Sequence, residues 1–301
     1  MIDIGVVIPA YNAESFLGET LESVLRQTLP LRKVVVVDDG SRDGTAGLAE
    51  RFGAQVTLVR QENQGVARAR NVGAAHTESE WLAFLDADYV WLPEKIERQA
   101  EVASKEKVAA VLCGMRIVDD QARTLEERAP GVDLGLEALL RHDDRIPQGL
   151  ASTILMRRDL FNAVQGFDPS LATMADWDLM LRLRLEGPFG YVDEPLVLYR
   201  RHGGNMSRNI GMLERESVVV LAKAFDHPKL PAELRSLRKE CYAWNDLVLA
   251  GSCFWAGEKL AALRHGVRAL RGNPALLGRV AAFPMRAAAR VWRGEPRPGI
   301  R

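Results

Sequence analysis

Cysteine is scarce in this sequence. Cys113, Cys241 and Cys253 are its only three; their spacing fits neither a disulfide framework nor a zinc site, which leaves buried thiols in a reducing compartment. No uncharged apolar run reaches the roughly 18 residues that a spanning helix needs, so none is expected. The N-terminal stretch "MIDIGVVIPAYNAE" runs straight into a strand pattern. It lacks a basic start, an apolar stretch and a small-residue cleavage site in that order, so no signal peptide is expected. No G-x-G-x-x-G follows the first strand, which argues against a dinucleotide-dependent dehydrogenase. Internal repeats and low-complexity segments are absent, and no nucleic-acid partner is expected.

Net charge is also missing: 40 basic residues balance 40 acidic ones. The balance is uneven along the chain. From residue 259 on stand Lys259, Arg264, Arg268, Arg271, Arg279, Arg286, Arg290, Arg293, Arg297 and Arg301, against the single acid Glu295. That asymmetry points to a surface partner for the tail.

What is present is a large apolar content, 47% of 301 residues, enough for a sizeable core. The first half alternates strands and helices. "IGVVIPA", "KVVVVDDG", "VTLVRQ" and "WLAFLDAD" read as strands, and "AESFLGETLESVLRQ", "GTAGLAERFG", "GVARARNVGAAH" and "PEKIERQAEVASK" as helices. This alternation predicts a mostly parallel sheet with helices on both faces. In such sheets ligands bind beyond the carboxyl ends of the strands. The stretches Pro9 to Asn12, Asp38 to Ser41 and Asp86 to Tyr89 should therefore meet at one cleft.

The middle is less regular. "VAAVLCGMRIVD" reads as a strand at a sheet edge, "ASTILMRR" as a strand, and "FGYVDEPLVLYRRH" as two strands with a turn near Pro195. "DWDLMLRLRLEG" reads as an amphipathic helix. From about residue 206 on the pattern is helical, broken at Pro228, Pro231, Gly251, Pro274 and Pro284.

Three stretches carry chemistry. Asp86 and Asp88 share one side of a strand end; they suit a divalent cation that completes its shell with water and phosphate, or else a solvated turn. Asp38 and Asp39 follow a strand and precede Gly40, Ser41 and Asp43. One acid should be structural, and the other should accept a ring N–H from uracil, thymine or guanine. Both acids could equally be caps. Arg68 and Arg70 lie in a short helix between Gly65 and Gly73, where an arginine either reaches phosphate or nucleobase or is solvated.

Taken in order, "VVIPAYNAE", "VVVDDGSRDGT", "NQGVARARNVG", "FLDAD", "GFDPSLATMADWDLMLRL" and "YRRHGGNMS" resemble the successive motifs of glycosyltransferase family 2, the inverting sugar transferases of GT-A fold. The resemblance covers about residues 3 to 207. It implies a GT-A-type α/β catalytic domain over 1–207, with a nucleotide-sugar half to about 110 and an acceptor half from 111, followed by a helical C-terminal extension over 208–301. It implies that Pro9, Ala10 and Tyr11 line the nucleobase pocket, with Tyr11 stacking. Asp39 would accept the base N–H, Arg70 cap the base, and Asp86 hold the ribose side. Asp88 and His202 would ligate Mg2+ or Mn2+, Asp176 would be the general base, and Gly166 matches the loop glycine ahead of it. The donor is then a nucleotide-diphosphate sugar, UDP first and dTDP or GDP as alternatives. The acceptor is a hydroxyl on a cell-envelope or lipid-linked glycan.

By residue type alone Asp176 could be a helix N-cap, Asp178 is a rival base on another helix face, and Trp177 lines the acceptor site or packs in the core. Two positions depart from the family pattern. Tyr89 stands where a further acid usually follows, and Ala175 where a Glu usually precedes the base. Two other functions stay open: a catalytically weak nucleotide-binding or assembly subunit, and a sugar-phosphate nucleotidyltransferase. The latter lacks its Gly-rich loop here. In the tail, Leu260, Leu263, Val267 and Leu270 recur with Arg264, Arg268 and Arg271 between them. Around Phe283 and Trp292, Val280 and Val291 alternate with arginines. Such helices suit an anionic membrane surface or a bundle with solvated arginines. A cytoplasmic location follows, peripheral on the inner face of the membrane if the tail docks there.

Overall fold

The computed structural model describes residues 2–119, 121, 123–128, 135–141, 150–202 and 209–283. Gly203 to Ser207 of the last motif and the tail residues Pro284, Arg286, Arg290, Val291, Trp292, Arg293, Glu295, Arg297 and Arg301 lie outside them. The chain forms two compact units, Met1–Leu134 with Arg145–His202, and Gly135–Asp144 with Gly203–Arg301.

The first unit contains the strands β1 (Ile4–Ala10), β2 (Lys33–Asp38), β3 (Thr57–Arg60), β4 (Trp81–Phe84), β5 (Val90–Trp91), β6 (Ala110–Val118), β7 (Thr124–Arg128), β8 (Ile154–Arg157) and β9 (Phe189–Arg200). Its helices are α1 (Leu17–Leu25), α2 (Thr45–Glu50), α3 (Val66–Ala75) and α4 (Lys95–Lys105), then α6 (Leu150–Thr153), α7 (Arg158–Ala163) and α8 (Ala175–Glu186); α5 (Leu136–Leu140) belongs to the second unit. The strands form one sheet in the order β3-β2-β1-β4-β8-β6-β9-β5, with β7 also on β6. The run β3-β2-β1-β4 is parallel, as the alternation predicts. Beyond it β8 pairs antiparallel with both β4 and β6, and β9 runs parallel to β6.

Every residue of β1 is buried, because both sheet faces are covered. Ile4, Val6 and Ile8 pack with Leu17, Leu21 and Val24 of α1, whereas Val35 and Val37 pack with Ala69 of α3 on the other face. Gly73 makes that second contact possible. A Cβ there would stand 2.2 Å from Val7 Cγ1, so only glycine lets α3 lie this close to the sheet.

Several local expectations are corrected. β6 lies inside the sheet, because β8 and β9 flank it. The segment around Pro195 continues as one strand. Opposite Cys113 and Gly114 the pairing jumps from Val192 to Pro195, and this bulge absorbs the residue that cannot donate to a ladder. Leu150–Thr153 is helical, so the strand after it is only Ile154–Arg157; the Thr153 hydroxyl closes the turn on the Leu150 carbonyl at 3.0 Å.

The second unit is helical: α5, α9 (Ile210–Asp226), α10 (Ala232–Arg235), α11 (Arg238–Ala256) and α12 (Lys259–Gly272). Gly251 does not break α11, which runs through it to Gly257. The short α5 joins this unit through Arg141, whose guanidinium pairs with Glu240 at the start of α11.

Candidate active site

The three expected strand ends are neighbours in the sheet. Ala10 ends β1 in register with Asp38, the end of β2. The two loops that follow are stitched together. The Asn12 amide donates to Ser41 Oγ at 2.9 Å, and the Arg42 amide donates back to Asn12 Oδ1 at 2.9 Å. The Gly44 amide donates to Glu14 Oε2 at 2.9 Å, and Asp43 accepts from the Thr45 amide at the start of α2. Pro9 and Ala10 are buried, while Tyr11 beside them is 50% exposed. A half-exposed aromatic on a pinned loop has a ring face available for stacking.

Both acids after β2 are buried. Asp38 accepts the Ser41 amide at 3.0 Å and faces Arg60 at 3.5 Å. Asp39 accepts three donors from the loop ahead of α3: Gln61 Nε2 at 2.7 Å, the Gln64 amide at 2.9 Å and the Gly65 amide at 2.9 Å. Asp39 therefore positions the helix that carries Arg70.

Arg70 is 5% exposed. Its Nη2 donates to Asp86 Oδ1 at 2.6 Å, and its guanidinium lies 5.0 Å from the centre of the Phe167 ring. Its Nε is buried with no hydrogen-bond partner among the described residues. Burial opposes its charge, yet the Asp86 and Asp176 carboxylates hold its pKa above the ordinary value. Asp86 is set by its amide, which donates to Ser152 Oγ at 3.1 Å. Ser152 is held in turn: its carbonyl accepts Trp91 Nε1 at 3.0 Å. The Lys95 ammonium sits 3.9 Å over the Trp91 ring and donates to Gln99 Oε1 at 2.7 Å. Burial pushes Lys95 down to about 8, with Cys113 opposing.

Asp88 Oδ2 is 2.9 Å from His202 Nε2. Burial and then the charge of Asp86 raise the Asp88 carboxyl, and His202 opposes both. Phe16 stacks on His202 at 4.8 Å, and Arg200 lies over Phe16 while paired with Glu19 at 2.7 Å.

Asp176 stands in the first turn of α8. Its Oδ1 accepts the Trp177 amide at 2.8 Å. Burial raises its carboxyl; Arg70 and the Trp177 amide pull it down, and Asp86 pushes it up. Asp176 thus lies in the fields of Arg70 and Asp86. Asp178 is buried and held by Arg182 Nε at 2.8 Å, so its carboxylate is engaged elsewhere. The loop before α8 is clipped to α3: Asn71 accepts the Phe167 amide at 2.9 Å and donates to the Phe167 carbonyl at 2.8 Å. Gly166 has φ +67°, and a Cβ there would meet Asn71 Oδ1 at 2.6 Å.

The structure thus gathers Arg70, Asp86, Asp88, His202 and Asp176 into one electrostatic set and leaves Tyr11 open beside the pinned loops. Tyr89 is buried against Tyr199 at 4.6 Å, so this position faces the core. Ala175 and Trp177 are buried too; Trp177 packs in the core. Phe16, Asn71, Ser152 and Phe167 are site residues that the sequence did not single out. Asn71 and Phe167 lie within quoted motifs, whereas Ser152 carries no sequence signal. A cavity of about 520 Å³ in the helical unit, lined by Ser236, Tyr242, Asp246 and Arg268 among others, contains none of the expected site residues.

Asp88 and His202 offer an oxygen and an imidazole nitrogen facing each other beside a second carboxylate, and the repulsion from Asp86 is one a cation would relieve. This donor set fits Mg2+ or Mn2+. Among the described residues no three His, Cys, Asp or Glu side chains form a complete metal cage, so ligand phosphate and water would fill the shell.

Comparison with known proteins agrees with the motifs. Residues 5–164 match the family model for glycosyl transferase family 2. A putative teichuronic acid biosynthesis glycosyltransferase, TuaG of Bacillus subtilis, is 28% identical over 68% of this chain and 82% of its own length. An uncharacterized glycosyltransferase of Nostoc is 31% identical over 67% of this chain and 66% of its own. One from Rickettsia felis is 26% identical over 79% of this chain, which spans only 40% of that relative's length. The fold is shared with the mannosyltransferase PcManGT of Pyrobaculum calidifontis in complex with GDP-Man and Mn2+, at TM-score 0.64 and 20% identity over 96% of this chain and 82% of that one. It is also shared with S. aureus TarS 1-349 in complex with UDP-GlcNAc, at TM-score 0.60 and 15% identity over 94% and 92%. With its run of parallel strands, its acid pair and this match over more than half its length, the chain belongs to glycosyltransferase family 2.

Proposed function

We propose that the chain is an inverting glycosyltransferase that moves a sugar from a nucleotide-diphosphate donor, UDP first, to a hydroxyl of a cell-envelope or lipid-linked glycan. The observation that carries this reading is the gathering of Arg70, Asp86, Asp88, His202 and Asp176 around the ends of β1, β2 and β4. Tyr11 would stack on the base, with Pro9 and Ala10 shaping the pocket beside it. Asp39 would accept the base N–H through its remaining lone pair, Arg70 would cap the base, and Asp86 would hold the ribose side.

Asp88 and His202 would hold Mg2+ or Mn2+, which supplies charge neutralisation for the departing diphosphate. Asp176 would take the proton from the acceptor hydroxyl as that oxygen bonds to the anomeric carbon and the carbon–diphosphate bond breaks. A single displacement of this kind inverts the centre without a covalent enzyme intermediate. Its carboxyl, raised by burial, makes it a stronger base than an ordinary aspartate. A relative named as a putative teichuronic acid biosynthesis glycosyltransferase and a structural neighbour in complex with UDP-GlcNAc support an envelope acceptor and a UDP donor; GDP and dTDP are the alternatives. A lipid-linked acceptor implies work at the cytoplasmic face of a membrane.

Asp176→Asn tests the reading. The amide oxygen keeps the Trp177 hydrogen bond, so the variant should fold and bind donor while losing roughly 10³-fold in transfer. Thermal-shift screening of UDP-, GDP- and dTDP-sugars with and without Mn2+, followed by donor hydrolysis, identifies the nucleotide. Turnover near the parent's in Asp176→Asn refutes the base.

A further inference from the structure

We propose that the outward face of α12 is a docking surface for an anionic lipid bilayer. The helix is inverted relative to an ordinary surface helix, which turns its apolar stripe inward. Its buried side presents His265 and Ala269, both fully buried. His265 Nδ1 there meets Asp246 Oδ1 at 2.8 Å, and Ala269 packs with Ala243 and Leu276. On the far side Leu260 is 85% exposed, Leu263 66% and Val267 39%. Positions i, i+3 and i+7 share one helix face, so these three form a continuous apolar stripe in solvent.

Charge says what covers it. From Lys259 to Phe283 there is no acidic residue, and α12 itself carries Lys259, Arg264, Arg268 and Arg271. Arg264 turns to Glu214 at 3.2 Å and Arg268 to Asp246 at 3.4 Å. Lys259 and Arg271 have no ion pair among the described residues. Five more arginines and a single acid follow Phe283 in the sequence. A second copy of the chain would bring this basic face against itself. A bilayer with anionic headgroups meets both needs: phosphates for the cations and the acyl boundary for the leucines. Among the described residues no helix is long and apolar enough to cross a membrane, so contact through α12 is contact from the surface.

The test uses the full chain and vesicles of phosphatidylglycerol with phosphatidylcholine, against phosphatidylcholine alone. The parent should float with the anionic vesicles and be released by salt. Leu260→Ser with Leu263→Ser and Val267→Ser should weaken flotation roughly 10²-fold, with unchanged melting temperature and donor hydrolysis. Leu260→Glu alone gives the same direction should the triple variant fold poorly. Lys259→Glu with Arg271→Glu should remove the preference for anionic lipid by roughly tenfold or more. Three results overturn the proposal: equal binding to both vesicles, flotation unchanged in the triple variant, or a solution dimer that the triple variant abolishes. Because flotation needs no sugar transfer, its failure is separable from failure of the transferase reading.

Discussion

Lys95 offers the sharpest physical test of the fold behind the acid pair. Its amine is fully buried over Trp91, and burial lowers its pKa from the ordinary 10.5 to about 8. The folded chain therefore releases this proton at lower pH than the unfolded chain does. Between the two values the unfolded state binds more protons, so stability rises with pH through that window. The interval corresponds to about 3 kcal/mol, a cost the fold carries in full below pH 8. Lys95→Met removes that cost, but it strands Gln99 Oε1, worth about 1 kcal/mol, and removes the cation over Trp91, worth up to about 2 kcal/mol. At neutral pH these terms nearly offset each other, so the absolute change is uninformative. The pH dependence is diagnostic. Urea unfolding followed by tryptophan fluorescence should show the parent gaining about 1 kcal/mol on Lys95→Met between about pH 8 and 9. That range lies below the pKa of Cys113, which burial raises to about 11. Parallel stability curves for the two proteins would refute the buried-ammonium account.

Three further outcomes are expected. Gly166→Ala forces a Cβ at φ +67° against Asn71 and Phe161, so chemical denaturation should show a loss of about 2 kcal/mol. Asn71→Ala should lower transfer more than donor affinity, because it frees the Phe167 loop while Arg70 keeps its ion pair with Asp86; a KM effect alone would count against the clip. The acid limb of kcat should lie above the ordinary 3.8 of an aspartate because burial raises Asp176, and Arg70→Met should move that limb to higher pH, since Arg70 pulls the carboxyl down. An acid limb unmoved in Arg70→Met excludes Asp176 as the titrating base.

The parallel half of the sheet was legible because β1 and β2 are apolar on both faces, a pattern that only a covered sheet explains. The neighbouring strand ends followed from topology alone. The place of β6 was not legible, because an interior strand and an edge strand of this apolar content look alike until β8, drawn from about forty residues later, inserts beside it. The turn expected at Pro195 failed because proline marks both turns and bulges. At the site, residue types and motif order named Arg70, Asp86, Asp88, Asp176 and His202. What they could not give was the division of work between the two acids after β2. Asp38 holds the Ser41 amide, whereas the three donors that orient Asp39 arrive with the loop after β3. Ser152 was invisible because its task is to accept one backbone amide through space.

The two hydrogen bonds between Asn71 and residue 167 imitate a rung of sheet pairing with a side chain in place of a strand. Arg70, one residue along α3, and Asp176, nine residues past the clip, are thereby mounted on a common frame. The guanidinium and the carboxylate are thus held at a preset separation. Evolution of a new donor or acceptor preference would then be freer in loops outside this frame than within it.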